Sequence, residues 1–284
     1  MITSTIKQLP KSTVEMEIKI SWDEIKVTYE KIFDQVTKEL ELPGFRKGKA
    51  PKELVEKNVN KTKIFEEVIR EIIPKAYANA IKEHNLQPII SPKIEVMKAK
   101  ENEEWVVKAT IALRPKVTLK SYKEKIREAK KPKAKIWTPG EPKEKESKET
   151  KKPDLDLIIN TLLTEAEVEI SDLMISEEAN RLLADLLDQV RKLGMTVEQY
   201  LLAKGKTTEQ LRAEYAIQAS KNLSVEFILA EIADLEKITV GNEDIEKLLE
   251  KVEKPEEKEK LRKDSYYLAH LIRQQKTLDF LYNL

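Results

Sequence analysis

The chain has 284 residues, of which 40% are hydrophobic and 36% are charged, and it contains no cysteine. This length allows two domains with a real core, while the missing thiols exclude disulfides and cysteine nucleophiles. Its start lacks the charged and apolar runs of a signal peptide, and no stretch approaches the roughly 20 apolar residues of a membrane span. These features predict a helix-rich, cytoplasmic protein.

The net charge of +1 hides an uneven distribution along the chain. Residues 1–115 carry a charge of +3, residues 116–152 carry +8 and residues 153–284 carry −10. A basic front and middle followed by an acidic back suggest that the front of the chain faces an anionic partner.

Hydrophobic spacing predicts strands packed on helices in the amino-terminal part. Apolar residues alternate with charged ones over Val14–Ile20, which indicates a half-buried strand, and a first helix follows directly. A second helix is predicted over about Lys61–His84, where Pro74 is expected to kink or break it. Two further strands are predicted at 93–98 and 104–113.

A short basic loop lies between the two predicted helices and reads Gly-Phe-Arg-Lys-Gly-Lys-Ala-Pro at 44–51. Glycine frees the backbone at both ends, and Pro51 suits the first turn of a following helix. An exposed Phe45 beside cations fits a docking finger for phosphate or an acidic protein surface. The alternative is a basic turn whose Phe45 folds back into the core. A nucleotide-binding P-loop does not fit, because Ala50 stands where a magnesium-binding hydroxyl is needed.

Residues 116–153 are rich in lysine and proline and hold few apolar side chains, which predicts a linker, mobile over about 130–152. From residue 154 to the end the apolar spacing is helical. Ser176 is predicted to cap one helix, and Thr196 and Thr207, each followed three residues later by glutamine, predict capping boxes for two more.

The predicted fold class is therefore an α+β amino-terminal domain followed by an elongated, all-α carboxy-terminal domain. The predicted domains are 1–115, the linker 116–153 and the helical domain 154–284. No catalytic or metal-binding cluster is predicted, because the two histidines, His84 and His270, lie far apart in the sequence.

The loop octet closely resembles the ribosome-docking signature of the bacterial trigger factor family, Gly-Phe-Arg-x-Gly-x-x-Pro. Residues 1–120 resemble the amino-terminal domain of that family, and residues from about 155 onward resemble its helical carboxy-terminal domain. The resemblance also implies that 117–129 is extended and packs on a neighbour. The ribosome-binding residues implied by the resemblance are Gly44, Phe45, Arg46, Lys47, Gly48 and Pro51.

The resemblance implies an ATP-independent chaperone without a cofactor. It would dock on protein and RNA of the large ribosomal subunit at the tunnel exit and shield nascent polypeptides. Family members usually carry a prolyl isomerase domain of roughly a hundred residues, whereas 116–153 is too short to bury such a core, so no isomerase activity is expected. The alternative is a basic RNA- or ribosome-binding module without chaperone activity. A weak homodimer is left open.

A chaperone surface would need apolar side chains that can contact unfolded clients. For the candidates in the helical part, packing in the core is the expected role. These candidates are Met174, Met195, Tyr266, Tyr267 and Phe280.

Overall fold

The computed structural model divides the chain into two units. It describes residues 2–40, 45, 51, 54–55, 58–130, 155–250, 258, 262 and 264–284. The amino-terminal unit comprises Met1–Arg114 with Ser171–Met174. The carboxy-terminal unit comprises Pro115–Ile170 with Ile175–Leu284.

The amino-terminal unit contains a four-stranded antiparallel sheet. Its strands are β1 Ile2–Leu9, β2 Thr13–Ile20, β3 Lys93–Lys98 and β4 Trp105–Ala112. Their order across the sheet is β1–β2–β4–β3, so β1 and β3 form its two edges. Alternate residues of β2 and β4 are buried, and the three predicted strands are confirmed. Strand β1 was not predicted, because its residues do not alternate between apolar and polar.

Two helices pack their apolar sides on this sheet. They are α1 Trp22–Glu39 and α2 Lys61–Glu83. Helix α2 runs through Pro74, so the proline does not break it. A proline costs an interior helix about 3 kcal/mol. Here Ile72, Ile73 and Ala76 around it are all buried in the core, and this burial offsets the cost.

The carboxy-terminal unit is mainly helical. Its short antiparallel strand pair is β5 Val117–Leu119 with β6 Ala166–Val168. Its helices are α3 Tyr122–Lys130, α4 Leu155–Glu165, α5 Asp172–Lys192, α6 Val197–Lys204, α7 Thr208–Leu235, α8 Asn242–Glu250 and α9 Ser265–Tyr282. The first three residues of α5 are assigned to the amino-terminal unit. None of the described helices is long and apolar enough to cross a membrane. The predicted fold class is confirmed, with the strand pair β5–β6 as an addition.

The predicted linker, 116–153, is partly folded. Its first part forms β5 and α3, and both belong to the carboxy-terminal unit. The extended conformation expected for 117–129 is therefore wrong beyond β5. The reason is that Tyr122 and Ile126, one helical turn apart, bury one face of α3 in a core shared with α4. The rest of the predicted linker, from residue 131, lies outside the described residues.

Local capping chemistry fixes several helix starts after residue 154. Thr196 and Thr207 form the two predicted capping boxes at the starts of α6 and α7. The predicted cap at Ser176 is wrong, since α5 already begins at Asp172. Ser171 takes that role, because its Oγ accepts a hydrogen bond from the backbone N–H of Leu173 at 3.3 Å.

Candidate docking site

Two of the six predicted ribosome-binding residues, Phe45 and Pro51, lie in the described part of the chain. Phe45 follows α1 in the sequence, and 41% of its surface is exposed. The Phe45 side chain is therefore not sealed in the core. The remaining four lie outside the described residues: Gly44, Arg46, Lys47 and Gly48.

The chain returns to the core directly after Pro51. The backbone N–H groups of Leu54 and Val55 donate to the Pro51 carbonyl at 3.0 and 3.1 Å, which is the bonding of a helical turn. Val55 is fully buried, and the N–H of Val59 donates to its carbonyl at 2.8 Å. Pro51 thus opens a turn that is anchored by a buried side chain, as expected for proline at a first helical position.

The other end of the loop starts from the same core. The backbone N–H of Leu40 donates to the Val36 carbonyl at 2.9 Å, and the Leu40 backbone itself is extended, so α1 stops there. Leu40, Val36 and Val59 all pack against the core of the amino-terminal unit. Both ends of the loop therefore begin at apolar anchors on one packed body.

An aromatic cluster holds the two helices that flank the loop against the sheet. The ring of Tyr29 on α1 lies 5.2 Å from that of Phe65 on α2, measured between centroids. Phe65 in turn lies 6.0 Å from the ring of Trp105 on β4. Tilted pairs at such distances contribute about 0.5–1.5 kcal/mol each beyond the area they bury. These ring contacts therefore hold α1 and α2, which flank the loop in the sequence, against each other and against β4.

An ion triplet also joins α1 to α2. Oε1 of Glu71 on α2 lies 2.7 Å from Nζ of Lys31 on α1 and 2.7 Å from Nζ of Lys75, one turn further along α2. Hydrogen bonds from Lys31 and Lys75 lower the pKa of Glu71 from 4.5 to about 2. The carboxylate therefore stays charged and the cross-helix contact persists through the neutral and mildly acidic range.

We expect Glu71→Gln to destabilise the amino-terminal unit by about 1 kcal/mol at pH 7, the upper end for a partly exposed ion pair. Because folding lowers this pKa, the contribution is complete above about 4.5 and is lost as the pH falls toward 2. Urea unfolding of both proteins from pH 7 to pH 2 checks this. Glu67→Gln is the matched control, since Glu67 pairs with Arg70 of the same helix. A pH-independent difference for Glu71→Gln would contradict the assignment.

The two histidines have different polar neighbours. His84 is the carboxy-terminal cap residue of α2, and its Nε2 lies 2.9 Å from the hydroxyl of Ser4. His270 on α9 lies 3.6 Å from a carboxylate oxygen of Glu226. Within the described ranges, no group of three or more histidine, aspartate or glutamate side chains is arranged to hold a metal ion.

The apolar candidates of the helical part divide into two classes. Met174 is buried, as expected, and Met195 and Phe280 are partly buried. Tyr266 and Tyr267 at the start of α9 are 90% and 57% exposed, so the core role expected for them is wrong. Four other large apolar side chains on or beside the described helices of this part are also exposed. They are Leu193, Leu202, Ile217 and Leu235.

Two family models match the chain. The model described as bacterial trigger factor protein matches residues 2–149, and the model described as the carboxy terminus of bacterial trigger factor protein matches residues 133–283. The two matches overlap over 133–149 and each covers more than half of the chain.

Curated relatives match about two fifths of the chain. A trigger factor of Mycolicibacterium smegmatis is 34% identical over 116 residues, which is 41% of this chain and 25% of that protein. A trigger factor of Desulforamulus reducens is 37% identical over 120 residues, which is 42% of this chain and 28% of that protein. The matched region thus spans about a quarter of the length of these relatives.

A solved structure shares the fold along almost the whole chain. It comes from work on promiscuous substrate recognition in the folding and assembly activities of the trigger factor chaperone. The likeness has a TM-score of 0.66 at 15% identity and covers 98% of this chain and 99% of that chain. With both family models matched from residue 2 to residue 283, the chain belongs to the bacterial trigger factor family.

Proposed function

We propose that the chain is an ATP-independent chaperone that docks on the large ribosomal subunit at the tunnel exit and shields nascent polypeptides. The observation that carries this proposal is the loop at 44–51 together with the family match. Phe45 supplies an exposed aromatic anchor, and Arg46 supplies a planar fork for carboxylate or phosphate. Lys47 adds a flexible charge, while Gly44, Gly48 and Pro51 shape the loop.

The two units have different roles in this proposal. The amino-terminal unit carries the loop and binds ribosomal protein and RNA, which places the chain in the cytoplasm. The carboxy-terminal unit contacts the client through exposed apolar side chains such as Tyr266, Leu202 and Ile217. Weak contacts spread over many such side chains hold unrelated sequences and release them without nucleotide.

Prolyl isomerase activity is not part of the proposal. The two family matches overlap over 133–149, so they leave no stretch between them for a further domain. An aromatic-lined isomerase domain needs a core of its own, which requires far more chain than this. A proline-peptide assay is expected to show the uncatalysed rate of isomerisation in the presence of the chain. Acceleration above that rate would contradict this part of the proposal.

Photocrosslinking to translating ribosomes tests docking and client contact together. We expect a photoreactive residue at position 45 to crosslink to ribosomal protein or RNA, and one at position 266 to crosslink to the nascent chain. Vacant ribosomes are the control, since only the probe at position 45 should react with them. The absence of both adducts would overturn the proposal. Equally tight, steeply salt-dependent binding to naked RNA would instead favour a simple RNA-binding module.

A further inference from the structure

Strand β3 forms one edge of the sheet, and all six of its residues are exposed. It pairs with β4 on one side, and no strand of the described chain pairs with its other side. In an antiparallel pair, every second residue directs its N–H and C=O groups away from the neighbouring strand. The outer side of β3 therefore presents backbone groups to which an extended polypeptide can add as a further strand.

The side chains of β3 add an apolar strip to this edge. Ile94 and Val96 stand opposite Ala109 and Val107 of β4 and therefore share the core-facing side of the sheet. Ala109 and Val107 are buried, but Ile94 and Val96 remain 38% and 43% exposed. Met97, at the irregularity that follows, is 64% exposed. The core thus ends at β3 with apolar side chains that the described residues leave partly exposed.

The charges along this edge are balanced within the unit. Nζ of Lys93 lies 2.9 Å from a carboxylate oxygen of Glu95, and Nζ of Lys98 lies 2.7 Å from one of Glu103. Lysines usually guard an edge strand because their unpaired charge repels an added strand. Here each lysine is matched by a nearby carboxylate, so the edge complements an uncharged partner better than an acidic or a basic one.

The opposite edge of the sheet has a different character. Strand β1 is largely polar, and its Ser4 hydroxyl donates to a carboxylate oxygen of Glu83 at 2.8 Å, close to the end of α2. Ile6 is the one large apolar residue of β1 that is exposed, with 39% of its surface accessible. Of the two edges, β3 is therefore the one that offers a continuous apolar strip.

We propose that β3 captures extended, uncharged polypeptide segments with alternating apolar side chains by strand addition. Such segments are available in unfolded clients, so the inference rests on the proposed chaperone function and adds a second client site on the amino-terminal unit. The outward backbone groups of β3 supply hydrogen bonds that do not depend on sequence. Ile94, Val96 and Met97 supply the preference for apolar side chains.

The test uses the full chain and a fluorescein-labelled heptapeptide of alternating glutamine and valine, with binding followed by fluorescence anisotropy. The double variant Ile94→Lys, Val96→Lys is expected to bind at least tenfold more weakly, because it places two unmatched charges on the strip. Both positions are partly exposed, so the fold is expected to persist and is checked by circular dichroism. Ile6→Lys is the matched control and should bind within twofold of the original chain.

A second arm keeps the protein unchanged. The same peptide with alternate backbone amides methylated should lose binding, because strand addition needs those N–H groups. Undiminished binding by the double variant, or equal binding of the methylated peptide, would overturn the proposal. The proposal would also be overturned if sedimentation showed a dimer of the original chain that is absent in the double variant, because a second copy of the chain would then occupy β3. Ribosome co-sedimentation is measured in parallel, and its failure in the unchanged chain contradicts the chaperone proposal rather than the role of β3.

Discussion

Replacing Phe45, Arg46 and Lys47 together by alanine is expected to weaken binding to vacant ribosomes about 100-fold. Buried aromatic and arginine anchors commonly contribute 2 kcal/mol or more to an interface, and each 1.4 kcal/mol is about a factor of ten. Because Phe45 is already exposed, its removal costs the fold little. Co-sedimentation with ribosomes over a range of chain concentrations measures the loss.

The control for this experiment removes the same kinds of side chain elsewhere. Tyr266, Arg191 and Lys192 are exposed on the carboxy-terminal unit, and their joint replacement by alanine should leave binding to vacant ribosomes within twofold. If the loop variant keeps full affinity while its circular dichroism is unchanged, the loop is not the docking site. If both variants lose affinity equally, ribosome binding depends on the total charge and aromatic content of the chain and not on the loop.

Trp105→Ala is expected to produce the largest loss of stability, about 3–5 kcal/mol in the amino-terminal unit. Trp105 is fully buried at the start of β4, contacts Phe65, and its Nε1–H donates to the Lys100 carbonyl at 3.1 Å. Truncation leaves a large cavity and removes the indole hydrogen bond in one step. Hydrogen exchange of the β4 amides measures the effect, because it reports on this unit separately from the other.

Two further variants separate the contributions at this position. Trp105→Phe keeps an aromatic ring but loses the hydrogen bond to Lys100, and should cost clearly less than the alanine variant. Val27→Ala on α1 should stay within about 0.5 kcal/mol, since Val27 is 68% exposed. Unchanged protection of β4 in Trp105→Ala would show that the aromatic cluster does not stabilise this unit.

The parts of the fold that could be predicted are those in which the local sequence pattern and the burial of the side chains favour the same secondary structure. The alternation in β2 and β4 survives because one face of each strand is buried against α1 and α2. Thr196 and Thr207 were predictable as caps because the glutamine three residues later completes each box locally. Ser176 was mistaken for a cap because Leu173 and Met174, at the true start of α5, are compatible with either a loop or a helix.

Other features of the fold depend on tertiary packing, which a local sequence pattern does not encode. Strands β5 and β6 have three residues each, which is too short for alternation to be read, and they exist through pairing across 46 or more intervening residues. Tyr266 and Tyr267 have helical spacing typical of a core, but spacing does not show how far a neighbouring helix covers a face. In the loop at 44–51, the sequence predicted an aromatic side chain beside cations, whereas the exposure of Phe45 had to be read from the structure.

The pairing of β5 with β6 brings together the two ends of the segment that contains α3 and α4. Helix α3 leaves the strand pair and α4 returns to it, each over about ten residues, and the two helices pack through Tyr122, Ile126, Ile158 and Leu162. The segment 131–154 therefore joins the far ends of a closed helical hairpin. Lengthening such a connection costs only about 0.6 kcal/mol per doubling. An entire folded insert could be spliced there, or excised during evolution, with the remainder of the architecture left intact.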